Sequence, residues 1–202
     1  MRADLRGLAP DTADAVSKQL VAAGLLVDED PQQALVHARA ARSIAARIGA
    51  VREAVGVAAY HAQAWAEALA ELRAARRISG DPRWIAVMAD CERALGRPTR
   101  ALKAIEDPDF ARLDPSTRIE VLIVVAGARR DLGQVDAALL VLARGGLDEV
   151  RPAAGSSRLW YAYADTLEAV GRRDEARRWF AAVAALDEDE TDAADRAESL
   201  SR

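Results

Sequence analysis

Small and apolar residues return along this chain in a fixed order. Ala34, Ala68, Ala101, Ala138 and Ala176 stand 34, 33, 37 and 38 residues apart, and four residues after each comes Ala38, Leu72, Ile105, Leu142 or Phe180. Apolar residues at one-turn spacing mark the inner face of a helix. Twelve residues before each alanine lies a small residue, Ala22, Gly56, Ala89, Ala126 or Ala164, and one place earlier an apolar one, Val21, Val55, Met88, Val125 or Tyr163. Each copy therefore holds two helices, with small residues where the first presses its neighbour closely. In the last three copies Gly96, Gly133 and Gly171 precede the alanine by five, where a residue of positive φ can end one helix and reverse the chain. The pattern predicts a helical hairpin repeated five times.

Turn and cap residues set the boundaries. Residues 1–11 read as an N-terminal stub or a short helix laid beside the array. Copy one (12–49) has a first helix at 12–27 and a second opened by Asp30 as N-cap with Pro31 at the first helical position. Copy two (50–81) pairs 50–62 with 64–79, and copy three (82–113) pairs 83–95 with 98–105. Copy four (114–155), started by Asp114-Pro115, pairs 116–132 with 135–143; copy five (156–188), capped by Ser156 or Ser157, runs to 170 and continues from 173 to 186. The run Val121-Leu122-Ile123-Val124-Val125 looks like a strand, but it lies in a span too long for a buried one and is assigned to helix. The two longer steps add residues to the loops between copies three and four and between copies four and five. Residues 189–202 are acidic and hydroxyl-rich, the composition of a solvated tail or a weak terminal helix, with no packed role. Trp179 and Leu186 would then face the open end of the array uncovered, so a weak homodimer through that end is expected.

Copy five carries the fullest motif: Trp160-x-x-Tyr163-Ala164-x-x-Leu167, then Gly171, then Ala176-x-x-x-Phe180. This resembles the tetratricopeptide repeat (TPR), a helical hairpin of about 34 residues. The resemblance covers residues 12–188, more strongly in copy five than in copies one and two. The chain is also similar to functionally unassigned TPR proteins of high-GC bacteria, some of which carry a basic Pro/Gly/Arg-rich tail ahead of the corresponding region. The family implies an all-α fold, a right-handed α-solenoid of about five hairpins, and a non-catalytic scaffold or adaptor whose first helices line a concave groove for an extended peptide or a partner helix.

Carried over residue by residue, the family's groove positions fall in copy two on Glu53, Val57, Tyr60 and His61, and in copy three on Arg83, Ala86, Asp90 and Arg93. In copy four they fall on Glu120, Ile123, Gly127, Arg130 and Asp131, and in copy five on Arg158, Tyr161, Asp165 and Glu168. Members that clamp a C-terminal carboxylate use lysine and asparagine there, and this chain has no asparagine. A protein or peptide ligand of mixed charge is expected instead, paired through residues such as Arg93 or Arg130.

Composition narrows the alternatives. Roughly one-quarter of the 202 residues are alanine, which favours helix throughout and close helix contact. A net charge of −4 and a pI of about 5.3 give no general attraction to nucleic acid or to an anionic membrane. The doublets Arg76-Arg77, Arg129-Arg130, Arg172-Arg173 and Arg177-Arg178 are the best argument for the alternative, an RNA- or ribosome-associated protein. Glu168, Asp174 and Glu175 lie close enough to the last two to pair with them. His37 and His61 lie in different copies, Cys91 is read as a small buried residue, and no metal-ligand spacing, phosphate loop or nucleophile elbow occurs. No enzyme activity, cofactor or metal is expected. Trp65, Trp84, Trp160 and Trp179 are read as packing residues. With one cysteine, and neither a signal peptide nor a long apolar span in view, the expected compartment is the cytoplasm.

Overall fold

The structure, a computed structural model, describes residues 5, 7–149, 151–186 and 191–201, and every regular element among them is helical. Residues 1–4 and 6 of the N-terminal stub, and the start of the acidic tail at 189–190, lie outside the described residues. The chain forms two compact units, Met1–Arg97 and Pro98–Arg202, and its fold is an all-α helical repeat of the solenoid class.

Unit one contains α1 (Pro10–Leu26), α2 (Pro31–Ala45), α3 (Gly49–His61), α4 (Trp65–Ser79) and α5 (Ile85–Ala94). Each packs on the next, and α1 also touches α3, as first helices of successive hairpins do. Asp30 caps α2 by accepting the Gln33 N–H at 3.0 Å, and Gly80 closes α4 at φ 71°. The core is built from Ala34, Leu35, Ala38, Val55, Ala59, Ala68 and Leu69. At Gly56 the approach of α3 to α4 leaves no room for a side chain: a Cβ would lie 2.6 Å from Cγ of Leu72. Arginine forks bind the helices together. Glu71, only 8% exposed in its side chain, accepts from Arg42 at 2.5 Å and Arg52 at 2.8 Å, while Glu67 accepts from Arg39 and Arg42. A carboxylate this buried is tolerable because both partners are present.

Unit two contains α6 (Pro98–Ala101), 3₁₀ helices at Leu102–Glu106 and Phe110–Arg112, α7 (Pro115–Asp131), α8 (Val135–Ala143), α9 (Ser156–Ala169), α10 (Arg173–Leu186) and α11 (Ala193–Ser199). From α7 to α11 each helix packs on the next, and α7 touches α9. The β-like run lies in α7, with Val121 and Val125 fully buried.

All five repeat alanines have 0% exposure. Four details differ from the sequence expectation. In copy one Val21 is 49% exposed and Leu20 and Ala23 are buried instead. The other four hairpin turns reverse through a positive φ five residues before their alanine, at Gln63 (59°), Gly96 (72°), Gly133 (70°) and Gly171 (76°). Copy one's turn has none among the described residues, so α1 enters with a different rotation. In copy three the second helix is α-helical only to Ala101; with three residues per 3₁₀ turn, Ala104 is buried in place of Ile105. Pro108 follows, and the residue before it, Asp107, is extended at ψ 130°. The N-cap of α9 is Gly155 at φ 86°, whereas Ser156 is already helical and its Oγ accepts the Ala153 N–H at 2.8 Å. Finally, α11 packs on α10 and buries Ala193 and Leu200. The tail thus has a packed role that its polar composition conceals, because a single small residue and one leucine suffice to seat it.

Candidate functional site

In unit one, α1 and α3 leave between them a cavity of about 480 Å³. Its walls include the apolar Leu20, Ala23, Val27, Ala54, Val57 and Ala58, and its polar residues are Glu53, Ser79, Arg83 and Trp84. Arg83 lies between two carboxylates, 2.8 Å from Asp81 and 3.7 Å from Glu53. Trp84 Nε1 is buried and has no hydrogen-bond acceptor among the described residues, which is uncommon for a buried N–H. Of the sequence-derived groove positions, Glu53, Val57 and Arg83 therefore line one cavity.

The other unit-one positions do not. The Tyr60 hydroxyl donates to Asp90 Oδ2 at 2.7 Å, and Arg93 donates to Asp90 Oδ1 at 3.0 Å. Burial and the bond to Asp90 push the Tyr60 pKa upward, so the phenol stays a donor. Its ring meets Trp65 edge-on at 5.4 Å. His61 faces Asp28, with Nδ1 3.5 Å from the carboxylate, and Ala86 is buried. These residues fasten helices to one another.

In unit two the expected groove residues form an ion-pair network. Glu120 pairs with Arg158 at 2.8 Å, and Arg130 with Asp165 at 2.5 Å. Arg196 of α11 then donates to Asp165 at 2.8 Å, to Glu168 at 2.5 Å and to the Tyr161 hydroxyl at 3.0 Å. Its guanidinium also lies 4.2 Å from the centre of the Phe180 ring. Tyr161 in turn donates to Asp192 at 2.7 Å. Burial pushes the Asp165 pKa up, but the hydrogen bonds from Arg130 and Arg196 outweigh it and hold the group below its ordinary value. Burial raises Glu120 despite Arg158. Three of copy five's groove positions, Tyr161, Asp165 and Glu168, are thus taken by Arg196 of α11. Asp131 is exposed, and Ile123 and Gly127 are half-buried.

Two features of the candidate site escape a reading of the sequence. Trp84 follows a groove position, Arg83, but sits just before α5, where no periodicity marks it. Arg196 lies in the polar tail. Elsewhere, Arg172 pairs with Glu175 at 2.6 Å and Arg178 with Glu149 at 2.8 Å, so the arginine doublets are partly engaged. Trp179 is half-buried, with its ring 5.5 Å from Trp160 and 5.6 Å from Tyr163, while Leu186 is 44% exposed. Cys91 is buried, and burial pushes its thiol up to about 12. Among the described residues no group of three or more His, Cys, Asp or Glu could hold a metal, and no helix is long and apolar enough to cross a membrane.

No family model and no curated protein matches this chain. Solved structures do. Pseudomonas aeruginosa pilF aligns at a TM-score of 0.64 and 17% identity, over 94% of this chain and 90% of that one. A Podosopora anserina putative kinesin light chain with nearly identical TPR-like repeats gives 0.64 and 17%, over 87% and 97%. YrrB, described as a TPR protein with an unusual peptide-binding site, gives 0.54 and 18%, over 95% and 100%. At these identities the likeness concerns the fold, and it agrees with the paired helices and buried alanines of both units: the chain has the tetratricopeptide-repeat fold.

Proposed function

We propose that the protein is a non-catalytic interaction module that receives an extended peptide in the cavity between α1 and α3. The observation that carries this reading is the cavity of about 480 Å³ itself, whose apolar walls adjoin the charged Glu53 and Arg83 and the Trp84 side chain. An apolar side chain of the peptide fills the space beside Ala54 and Val57. The peptide packs against the Trp84 indole, and a mixed-charge flank meets Glu53 and Arg83. YrrB, a TPR protein with a peptide-binding site, lends the reading support from the same fold. Unit two contributes less, because Arg196 already holds Asp165 and Glu168.

Selection from a library of extended peptides, followed by calorimetry, tests the reading. Trp84→Phe shrinks the ring that walls the cavity, so it should weaken a selected peptide about five-fold; Ala54→Leu should fill the cavity and abolish binding. Peptides that bind both variants as well as the unmodified protein would end the proposal. The RNA-associated alternative rests on the arginine doublets, and nuclease-sensitive, steeply salt-dependent capture of RNA would favour it. Self-association through the C-terminal end would have to use Leu186, since Trp179 packs tilted against Trp160 and edge-on against Tyr163. Sedimentation of the protein against Leu186→Glu decides it: a dimer lost in the variant supports the contact, and a monomer at high concentration removes it.

A further inference from the structure

Unit two has a cavity of its own, of about 310 Å³, at the place where the chain departs from its repeat. The longer steps put extra residues at 106–114 and 145–155. Phe110 from the first stretch and Ala153 from the second line this cavity together with Arg118, Ile119 and Leu122 of α7 and with Arg144. These α7 residues lie on a different face from the groove positions Glu120, Ile123 and Gly127. The second stretch is held close at both ends by glycine. A Cβ at Gly145 would lie 2.7 Å from Leu159, and Gly155, at φ 86°, would bring one to 3.3 Å from Ile119.

Arg118 is half-buried and Arg144 exposed, and neither makes an ion pair or side-chain hydrogen bond with a described residue. Three acids of the two stretches are engaged elsewhere: Asp109 with Arg112 at 2.8 Å, Glu149 with Arg178 at 2.8 Å, and Asp114 with both the N–H and the hydroxyl of Thr117. Two arginines on the lining of one small cavity, beside apolar residues, make a positive potential that an anion relieves. The walls demand that this anion carry an apolar body. A doubly charged phosphate suits the site poorly, because the start of α7 at the cavity is already capped by the Asp114 carboxylate, which its bonds to Thr117 keep ionised.

We propose that this cavity binds an organic carboxylate, with an apolar body against Phe110, Ile119 and Leu122 and the carboxylate held by Arg118 and Arg144. Its volume, at the small end of ligand sites, fits either a free small acid or the last residue of a chain. Calorimetry on the full chain with 4-phenylbutanoate, its amide, inorganic phosphate, and a peptide ending in phenylalanine tests the assignment. The acid should bind one to one, the amide about ten-fold more weakly or worse, and Arg118→Gln or Arg144→Gln should each cost the acid about ten-fold. Phe110→Ala should weaken the acid while leaving phosphate unchanged, and Trp84→Phe should change nothing here, which separates this site from the unit-one cavity. Tighter binding of the peptide than of the acid supports the site with a chain terminus as ligand; the reverse order supports it with a small acid. Equal binding of acid and amide, phosphate binding as tight as the acid, insensitivity to both arginine variants, or no binding of acid or peptide would each overturn it.

Discussion

Replacing Gly56 by alanine adds one methyl where α3 crosses α4, and the structure fixes what that methyl meets. A Cβ there would lie 2.6 Å from both Cγ and Cδ2 of Leu72 and 3.2 Å from the Leu72 backbone nitrogen. Leu72 has no exposed surface into which to turn, and the backbone atom can yield only if α4 shifts. Overpacking of this kind costs about 1–3 kcal/mol, against which the better helix propensity of alanine returns about 1 kcal/mol. A net loss of about 0–2 kcal/mol, centred on about 1 kcal/mol, is expected. Gly24 is the control, since it lies in α1 with nothing within 4 Å of its would-be Cβ. There the same change should stabilise by about 0.5–1 kcal/mol. Thermal denaturation followed by circular dichroism measures both, and the Gly56→Ala protein should melt about 3–8 °C below Gly24→Ala. If the two variants shift stability in the same direction, the crossing at Gly56 is not as described.

Gln63 occupies with a side chain the left-handed position that three other turns give to glycine, so Gln63→Gly should raise stability by about 1 kcal/mol and Gly133→Ala lower it by a similar amount, both read by scanning calorimetry. Ala138→Leu, at a residue with no exposure, should cost about 1–3 kcal/mol in the same assay. Arg196→Met removes the bonds to Asp165, Glu168 and Tyr161; amide exchange over α11 should quicken by about ten-fold or more, corresponding to about 1–3 kcal/mol, and unchanged exchange would show that the arginine does not seat the helix. The native pKa of Asp165 lies below its unfolded value of about 3.9. Its stabilisation is therefore fully present above that value and lost as pH falls through the native one. The stability gap between the protein and Asp165→Asn should hold from neutral pH to about pH 5 and close below about pH 4, and a gap that widens in acid refutes the pairing.

The five alanines and the glycine turns made the hairpins legible, because close helix packing tolerates only small residues at fixed spacing and reversal requires positive φ. What escaped was of another kind. Gln63 hides a left-handed turn because nothing in its side chain announces one. The copy-three helix tightens to 3₁₀ before Pro108, which moves burial from Ile105 to Ala104 without altering composition. At the site level, groove positions transferred from the repeat located Glu53, Val57 and Arg83 on one cavity, but periodicity cannot say which carboxylate an arginine will reach. Asp165 and Glu168 look available in sequence, and in the fold they are held by Arg196, 31 and 28 residues later. Trp84 precedes α5 and joins no stripe, so only the arrangement of α1 and α3 reveals its unpaired N–H.

The most direct test of the interaction reading is the indole N–H spectrum of the isotope-labelled protein during titration with a selected peptide. Four tryptophans give four indole signals, and each can be assigned by substitution. The account predicts that the Trp84 signal moves as the peptide packs on its ring, together with the backbone signals of Ala54 and Val57, while those of Trp160 and Trp179 stay in place. Saturating peptide that leaves Trp84 unmoved, or that shifts signals only on the second helices of the hairpins, would contradict it.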